Sequence, residues 1–391
     1  MVANTSPFST WKEDFKVKID KRAIKVGIRD YFQSFLPILT WITTYLPKWI
    51  INDFISGLTV SLVAIPQALA YASLAQVPAQ YGLTACFMPL FLYTLTGTSR
   101  EMSVGPTAIV ALTTGKIVLE LAHYGYDAIE VASALAFWCG IIITALGVTR
   151  LGKILDLIPD PVIIGFINGA ALNIASTQLP KLLGLSVSTN QSTLMIVVDV
   201  FRNIGKTWIL DFAIGLSSIV FLLIIKYSVR YGRKKYDNLK YLGFAANGLA
   251  VLLFTLVVYG VKSRNQDAQI HIVGSIPNDL KIAVPNLDPR ILSLASGEMV
   301  TLILVIVLEH VALAKGLSKK VGYVSNSSQE LVALGGGNLL NGFFHGIPVT
   351  GSLSRTSIQS QTGAQSPLAN IVAGSIILIA LKFLTFLFYY L

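Results

Sequence analysis

The sequence predicts an all-α polytopic membrane protein, built as an inverted repeat with two half-helices that each follow a short extended segment. Composition is the first of three observations behind this. The 391 residues are 53% hydrophobic and only 13% charged, whereas soluble domains average about 25% charged residues. The mean hydropathy is +0.66, and several runs reach the roughly 20 apolar residues that span a bilayer. Second, two hydrophobic runs are broken by glycine and small hydroxyl residues, at Val104-Gly105-Pro106-Thr107 and at Thr350-Gly351-Ser352-Leu353-Ser354-Arg355. Third, the spacing repeats: Asp53 precedes Gly105 by 52 positions and Glu298 precedes Gly351 by 53. Long span, second span, extended break and half-helix thus recur in that order. An odd number of crossings per repeat inverts the second copy relative to the first, so that the two half-helix starts face each other near the midplane.

Residues 1–50 read as a basic region (Lys12, Lys16, Lys18, Lys21, Arg22, Lys25, Arg29) ending in an apolar, Trp-containing interfacial stretch near 36–50. Spans follow at 53–75 and 81–98, then the first half-helix from Gly105 to about 118. Further spans fall near 127–148, 159–181, 208–229 and 243–261. The polar stretch 262–290 reads as an extramembrane loop. The second repeat opens near 297–317, continues at 329–345, breaks at Pro348 and Gly351, and resumes as a half-helix to about 362. A last span occupies 367–389.

The formal net charge is +10, but the basic residues sit beside hydrophobic runs, which is the positive-inside pattern and not a nucleic-acid footprint. With a cytoplasmic N-terminus, the inner loops hold Arg100, Arg150 with Lys153, Lys226 to Lys240, and Lys315 to Lys320. The outer loop 186–207 carries the sequon Asn190-Gln191-Ser192, while a second, Asn326-Ser327-Ser328, falls on the inner side. Cys86 and Cys139 lie in apolar segments, which argues against a disulfide framework. The first ~35 residues are too polar for a cleavable signal peptide. The four histidines lack metal-ligand spacing, Gly335-Gly336-Gly337 lacks the Lys-Ser/Thr ending of a phosphate loop, and no nucleophile elbow occurs. Neither an enzyme nor a cofactor site is expected.

A helix that begins in mid-membrane leaves its first N–H groups without intrahelical partners. Such groups are tolerated where they line a cavity or meet a ligand, and their positive end favours an anion. Two such half-helices point to a secondary transporter's binding site. Thr107 at the first, with Ser352, Ser354 and Thr356 at the second, supply hydroxyl donors. Arg355 is the only charge in its segment, and an intramembrane guanidinium reads as an anion partner or a counter-ion to a carboxylate. Glu309 is a second intramembrane charge, in the cytoplasmic half of its span, able to take a proton or to pair with Arg355. Gln67 and Tyr71 share one helical face after Pro66 and suit either an oxyanion site or a helix-packing hydrogen bond.

These residues resemble a known family. Asp53 to Val60 (DFISGLTV) with Ile65 to Ala72 (IPQALAYA) is similar to the signature of the sulfate permeases, the SulP anion transporters. So are Gly97-Thr98-Ser99-Arg100 with Val104 to Ala108, Gln329 to Gly335 with Asn338, and Pro348 to Ser352 followed by Ser354-Arg355-Thr356. The resemblance implies a seven-plus-seven inverted repeat with a core and a gate domain. It implies a substrate site of Gln67, Tyr71, Thr107, Ser354 and Arg355, to which the two half-helix starts add Gly105, Ala108, Gly351 and Ser352, and proton coupling at Glu309. Core spans are expected at about 53–148 and 297–389 and gate spans at about 159–261. The chain stops at Leu391, where the family continues with three more spans and a STAS domain, so the seven-plus-seven repeat is expected to be incomplete here.

The expected function is secondary active transport of sulfate or a related anion by alternating access, with or without coupled protons and by symport or exchange, in the plasma membrane or an endomembrane. Chloride, bicarbonate, oxalate and molybdate remain open as substrates. The alternative is a truncated, transport-incompetent membrane protein that binds anions or associates with a longer relative. A homodimer or such an association is the expected assembly.

Overall fold

The computed structural model describes residues 36–155, 159–187, 191–232, 239–265, 270, 272–323 and 325–390. The basic N-terminal region and Asn190 lie outside the described residues. Helices dominate: α1 (Ile50–Leu74), α2 (Ala79–Thr96), α3 (Ala108–Ala122), α4 (Ala128–Val148), α5 (Asp160–Leu182), α6 (Thr193–Asn203), α7 (Ile209–Gly232), α8 (Leu239–Arg264), α9 (Ser296–Val321), α10 (Ser327–Phe343), α11 (Leu353–Gln361) and α12 (Leu368–Phe383). Two short strands, β1 (Val104–Gly105) and β2 (Thr350–Gly351), precede α3 and α11. Among the described residues, the stretches Pro47–Leu74, Ala128–Val148, Ile209–Gly232, Ala245–Arg264 and Ser296–Lys319 are long and apolar enough to cross a membrane.

α1 to α4 and α9 to α12 form one packed bundle, whose interior holds Val60, Leu83, Leu90, Ile117, Leu135, Leu302 and Leu334. The three consecutive glycines of α10 serve this packing. Gly335 lies against Thr144 of α4, Gly336 against Leu92 and Gly337 against Pro89 of α2, so α10 approaches both helices closely. α5, α7 and α8 flank the bundle, and their outward side chains, among them Leu172, Ile209, Ile224 and Leu256, are exposed. Apolar faces of this extent suit lipid.

Polar residues set several helix starts. The Asp127 side chain accepts from the Ile129 N–H to cap α4, and Asn326 accepts from the Gln329 N–H to cap α10. The second sequon is therefore a helix cap, with Ser327 and Ser328 buried behind it. Residues 272–288 cross the end of the bundle without regular structure. They are tied down by Ala283 N–H to Phe343 O (3.0 Å), Asn286 Nδ2 to Glu130 Oε2 (3.1 Å) and the Tyr126 hydroxyl to Asp288 Oδ2 (2.8 Å).

The structure corrects three details of the expected layout. The final helix ends at Phe383, not near 389, and a 3-10 turn, Thr385–Phe388, follows it. Glu309 stands at the middle of α9, because that helix runs on to Val321. The loops hold three further helices, α6, Pro289–Leu294 and the four-residue Gly152–Leu155. The first is amphipathic and buries Ile196 and Val200, four apart on one face.

Candidate functional site

β1 and β2 pair antiparallel, with Val104 opposite Gly351 and Gly105 opposite Thr350. If Gly105 is matched to Gly351 by the repeat, exchanging the two halves maps this register onto itself. The strands thus straddle a pseudo-two-fold axis, and α3 and α11 leave it in opposite senses. The ribbon is held from all sides. Ser352 N–H donates to Ser103 O (3.0 Å) and Ser103 N–H to Thr356 Oγ1 (3.1 Å). Asn338 on α10 exchanges two bonds with Val349, at 2.9 and 2.8 Å, and the Thr350 hydroxyl donates to Ile306 O of α9 (2.7 Å).

Arg355 sits two residues into α11 and is 1% exposed. Its guanidinium crosses to the first repeat, where Nη1 donates to Gln67 Oε1 and Nη2 to the Pro106 carbonyl, each at 3.1 Å. Both acceptors are neutral, so the positive charge is not cancelled by them. A Cβ at Gly105 would stand 2.8 Å from Nη2, so only glycine lets the guanidinium reach the start of the first half-helix. Gln67 is fixed at its other end, where Nε2 donates to Ser354 Oγ (3.2 Å), and Ser354 Oγ lies 3.3 Å from Ser352 Oγ. Glu309 does not pair with Arg355. Its Oε2 accepts from the Thr107 hydroxyl at 3.1 Å, so the second repeat's carboxylate is also held by the first half-helix.

A cavity of about 1320 Å³ opens over this arrangement, between the bundle and the flanking helices. From the bundle, Gln67, Tyr71 and Ser354 line it; from the flank, Gln178, Lys181 and Asn247 do so. Gly105, Thr107, Ala108, Gly351, Ser352 and Arg355 lie buried beneath that wall. The expected residues are therefore brought together in two layers. The upper layer meets the cavity, and the lower one supplies charge and oriented backbone dipoles at the starts of α3 and α11. Among the described residues no group of His, Cys, Asp or Glu could hold a metal ion, and Cys86 and Cys139 are buried free thiols.

Sequence reasoning missed the supports. Asp53, fully buried at the start of α1, accepts from the Gln365 and Ser366 N–H groups (2.7 and 3.2 Å) and from the Ser366 hydroxyl (2.7 Å). It thereby fastens the turn that follows α11. A carboxylate or amide inside an apolar run is itself a signal that a partner exists, but not which partner.

Residues 50–391 match the sulfate permease family. The chain belongs to that family. As a sulfate permease homologue it is 35% identical over 370 residues to a probable sulfate permease of Schizosaccharomyces pombe, covering 92% of this chain and 42% of that protein. It is likewise 35% identical to the sodium-independent sulfate anion transporter of Bos taurus, covering 92% of this chain and 62% of that one. It thus spans about half the length of the curated relatives it matches. The fold is that of the murine solute carrier 26 family member A9 anion transporter in its inward-facing state. There the TM-score is 0.82 at 25% identity, covering 100% of this chain and 66% of that one. The transmembrane domain of a cyanobacterial bicarbonate transporter shares the fold at a TM-score of 0.73 and 19% identity, covering 88% and 86%. The chain is a multi-pass membrane protein with the architecture of this transporter family.

Proposed function

We propose that this chain moves sulfate or a related inorganic anion across a membrane by alternating access, as a secondary active transporter. The supporting observation is the buried, neutral-partnered Arg355, set between two half-helix starts directly beneath a cavity wall. An anion resting on Gln67, Tyr71 and Ser354 is attracted by the guanidinium and by both helix N-termini in a medium that screens little. In this reading α1 to α4 and α9 to α12 are the moving core, α5, α7 and α8 belong to the gate, and the cavity is the interface along which the core slides. The N-terminus lies in the cytoplasm, in a plasma or internal membrane, and the chain associates with a second copy or a longer relative through its gate side.

Glu309 is the proposed proton carrier. Its bond to Thr107 places it at the first half-helix start, where movement of the core would change its access to water. A proton that travels with a divalent anion removes one unit of charge from the moving complex, worth about 2.3 kcal/mol per 100 mV.

The test is reconstitution of the purified 391-residue chain alone in vesicles, with labelled sulfate and an imposed pH gradient. Saturable flux that rises with the gradient is expected. Binding without flux would instead favour an anion-binding protein that acts with a longer relative.

A further inference from the structure

Glu330 stands in the first turn of α10 and is fully buried. Donors from three elements converge on its carboxylate. Oε1 accepts from the Thr98 and Ser99 N–H groups, at 2.9 and 3.1 Å, and from the Thr98 hydroxyl. Oε2 accepts from the Tyr93 hydroxyl (2.8 Å) and lies 2.8 Å from His310 Nε2. Two N–H groups and two hydroxyls thus donate to one carboxyl group, with a ring nitrogen of His310 beside it. His310 Nδ1 has no partner among the described residues and faces Gly351.

The two oxygens hold the two ends of one functional contact. Thr98 and Ser99 open the segment that runs through β1 to Thr107. His310 is the residue after Glu309. Thr107 and Glu309 are the pair joined at 3.1 Å, and each comes from an element tied to the same carboxylate on a third. A bundle that needed only packing here would be served at lower cost by an apolar side chain of this size. We infer that Glu330 is a positioning residue, whose carboxylate sets the Thr107–Glu309 contact by clamping the approach to the first half-helix and the middle of α9 together. The inference rests on the reading of Glu309 given above, and it assigns no contact between Glu330 and the anion.

Two arms test it. In the first, labelled-sulfate uptake is compared at matched expression in Glu330→Gln, Glu309→Gln and the double variant. Glutamine keeps the shape but turns an NH2 group toward donors, so one side of the clamp opens. Glu330→Gln is expected to lower uptake about tenfold, and the double variant to fall no more than about twofold below Glu309→Gln, because a residue acting through another shows a non-additive cycle. Losses that multiply, or normal uptake in Glu330→Gln, overturn the inference. Glu330→Asp, which keeps charge but loses reach, gives the same comparison if glutamine prevents folding.

The second arm needs no transport. In a chain with Cys86 and Cys139 replaced by alanine, Thr107→Cys is expected to react slowly with a maleimide, since Thr107 is 6% exposed. Adding Glu330→Gln should speed that reaction at least about tenfold, while Ser133→Cys, buried in α4 away from the clamp, stays slow. Unchanged labelling at position 107 overturns the inference. So does equal acceleration at both positions, which would mean general loosening of the bundle. If the native chain takes up no sulfate, the transport reading fails, and the labelling arm still decides the role of Glu330.

Discussion

The two half-helix starts occupy matching places in the repeat and carry opposite chemistry. Val104-Gly105-Pro106-Thr107-Ala108 is neutral and mostly apolar, whereas Thr350 to Arg355 holds three hydroxyls and a guanidinium. The two charges at the half-helix starts, Glu309 and Arg355, belong to the second repeat, and both are held by the first, through Thr107, Gln67 and Pro106. A pseudo-symmetric scaffold thus carries an asymmetric pair of half-helix starts: one repeat supplies their charges and the other supplies the seat. The division has a physical basis. An intramembrane charge is costly unless fixed by polar partners, and an acceptor on the opposite repeat fixes it across the axis.

The largest break in this comparison comes from removing the charge. Arg355→Ala eliminates the guanidinium and leaves Gln67 Oε1 and the Pro106 carbonyl without their donor. Two charge-assisted hydrogen bonds are lost, and sulfate uptake should fall about 100-fold at matched expression. Normal uptake in that variant would remove Arg355 from the site.

Damage to the seat should cost less and act differently. Gly105→Ala puts a methyl 2.8 Å from Nη2 and must push the guanidinium aside, which should raise the half-saturating sulfate concentration about tenfold. The symmetry mate is the control. At Gly351 the same methyl meets Met102 Sδ at 2.7 Å and His310 Nδ1 at 3.1 Å, away from Arg355. Gly351→Ala should therefore lower thermal stability by more than it alters sulfate affinity. If the two alanine variants shift affinity equally, the repeats do not divide the work as described.

The carboxylate gives a third comparison. Glu309→Gln should keep sulfate binding but lose the dependence of uptake on an imposed pH gradient, because the amide cannot carry the proton. Retention of the wild-type pH-gradient dependence would exclude coupling at this residue. The smallest effect belongs to the hydroxyls. Ser354→Ala removes two neutral contacts, to Gln67 Nε2 and Ser352 Oγ, and should weaken uptake only about threefold.

Much of this was legible in the sequence. Glycine with small hydroxyl residues inside apolar runs marked both half-helices, and a lone arginine after one of them marked the charge. The spacing of Gln67 and Tyr71 after Pro66 put them on one helical face, and both line the cavity. What could not be read were pairings between distant parts of the chain. Asp53 with Ser366, Glu330 with Thr98 and Tyr93, and Arg355 with the Pro106 carbonyl join residues that share no helical or strand period. A backbone carbonyl as the partner of a guanidinium leaves no trace in side-chain pattern at all. The layering was equally hidden, since periodicity shows which residues share a face but not which of two facing elements lies nearer a cavity. Helix α6 was missed because its eleven residues are too few to stand out beside true spans.

Equilibrium binding of labelled sulfate to the purified protein tests the bridged site most directly, since it requires neither flux nor an intact transport cycle. The native chain should bind sulfate saturably. Arg355→Ala, with its fold verified by circular dichroism, should bind at least about tenfold more weakly. Equal affinity in the two proteins would contradict an anion site built on the guanidinium that joins the two half-helices.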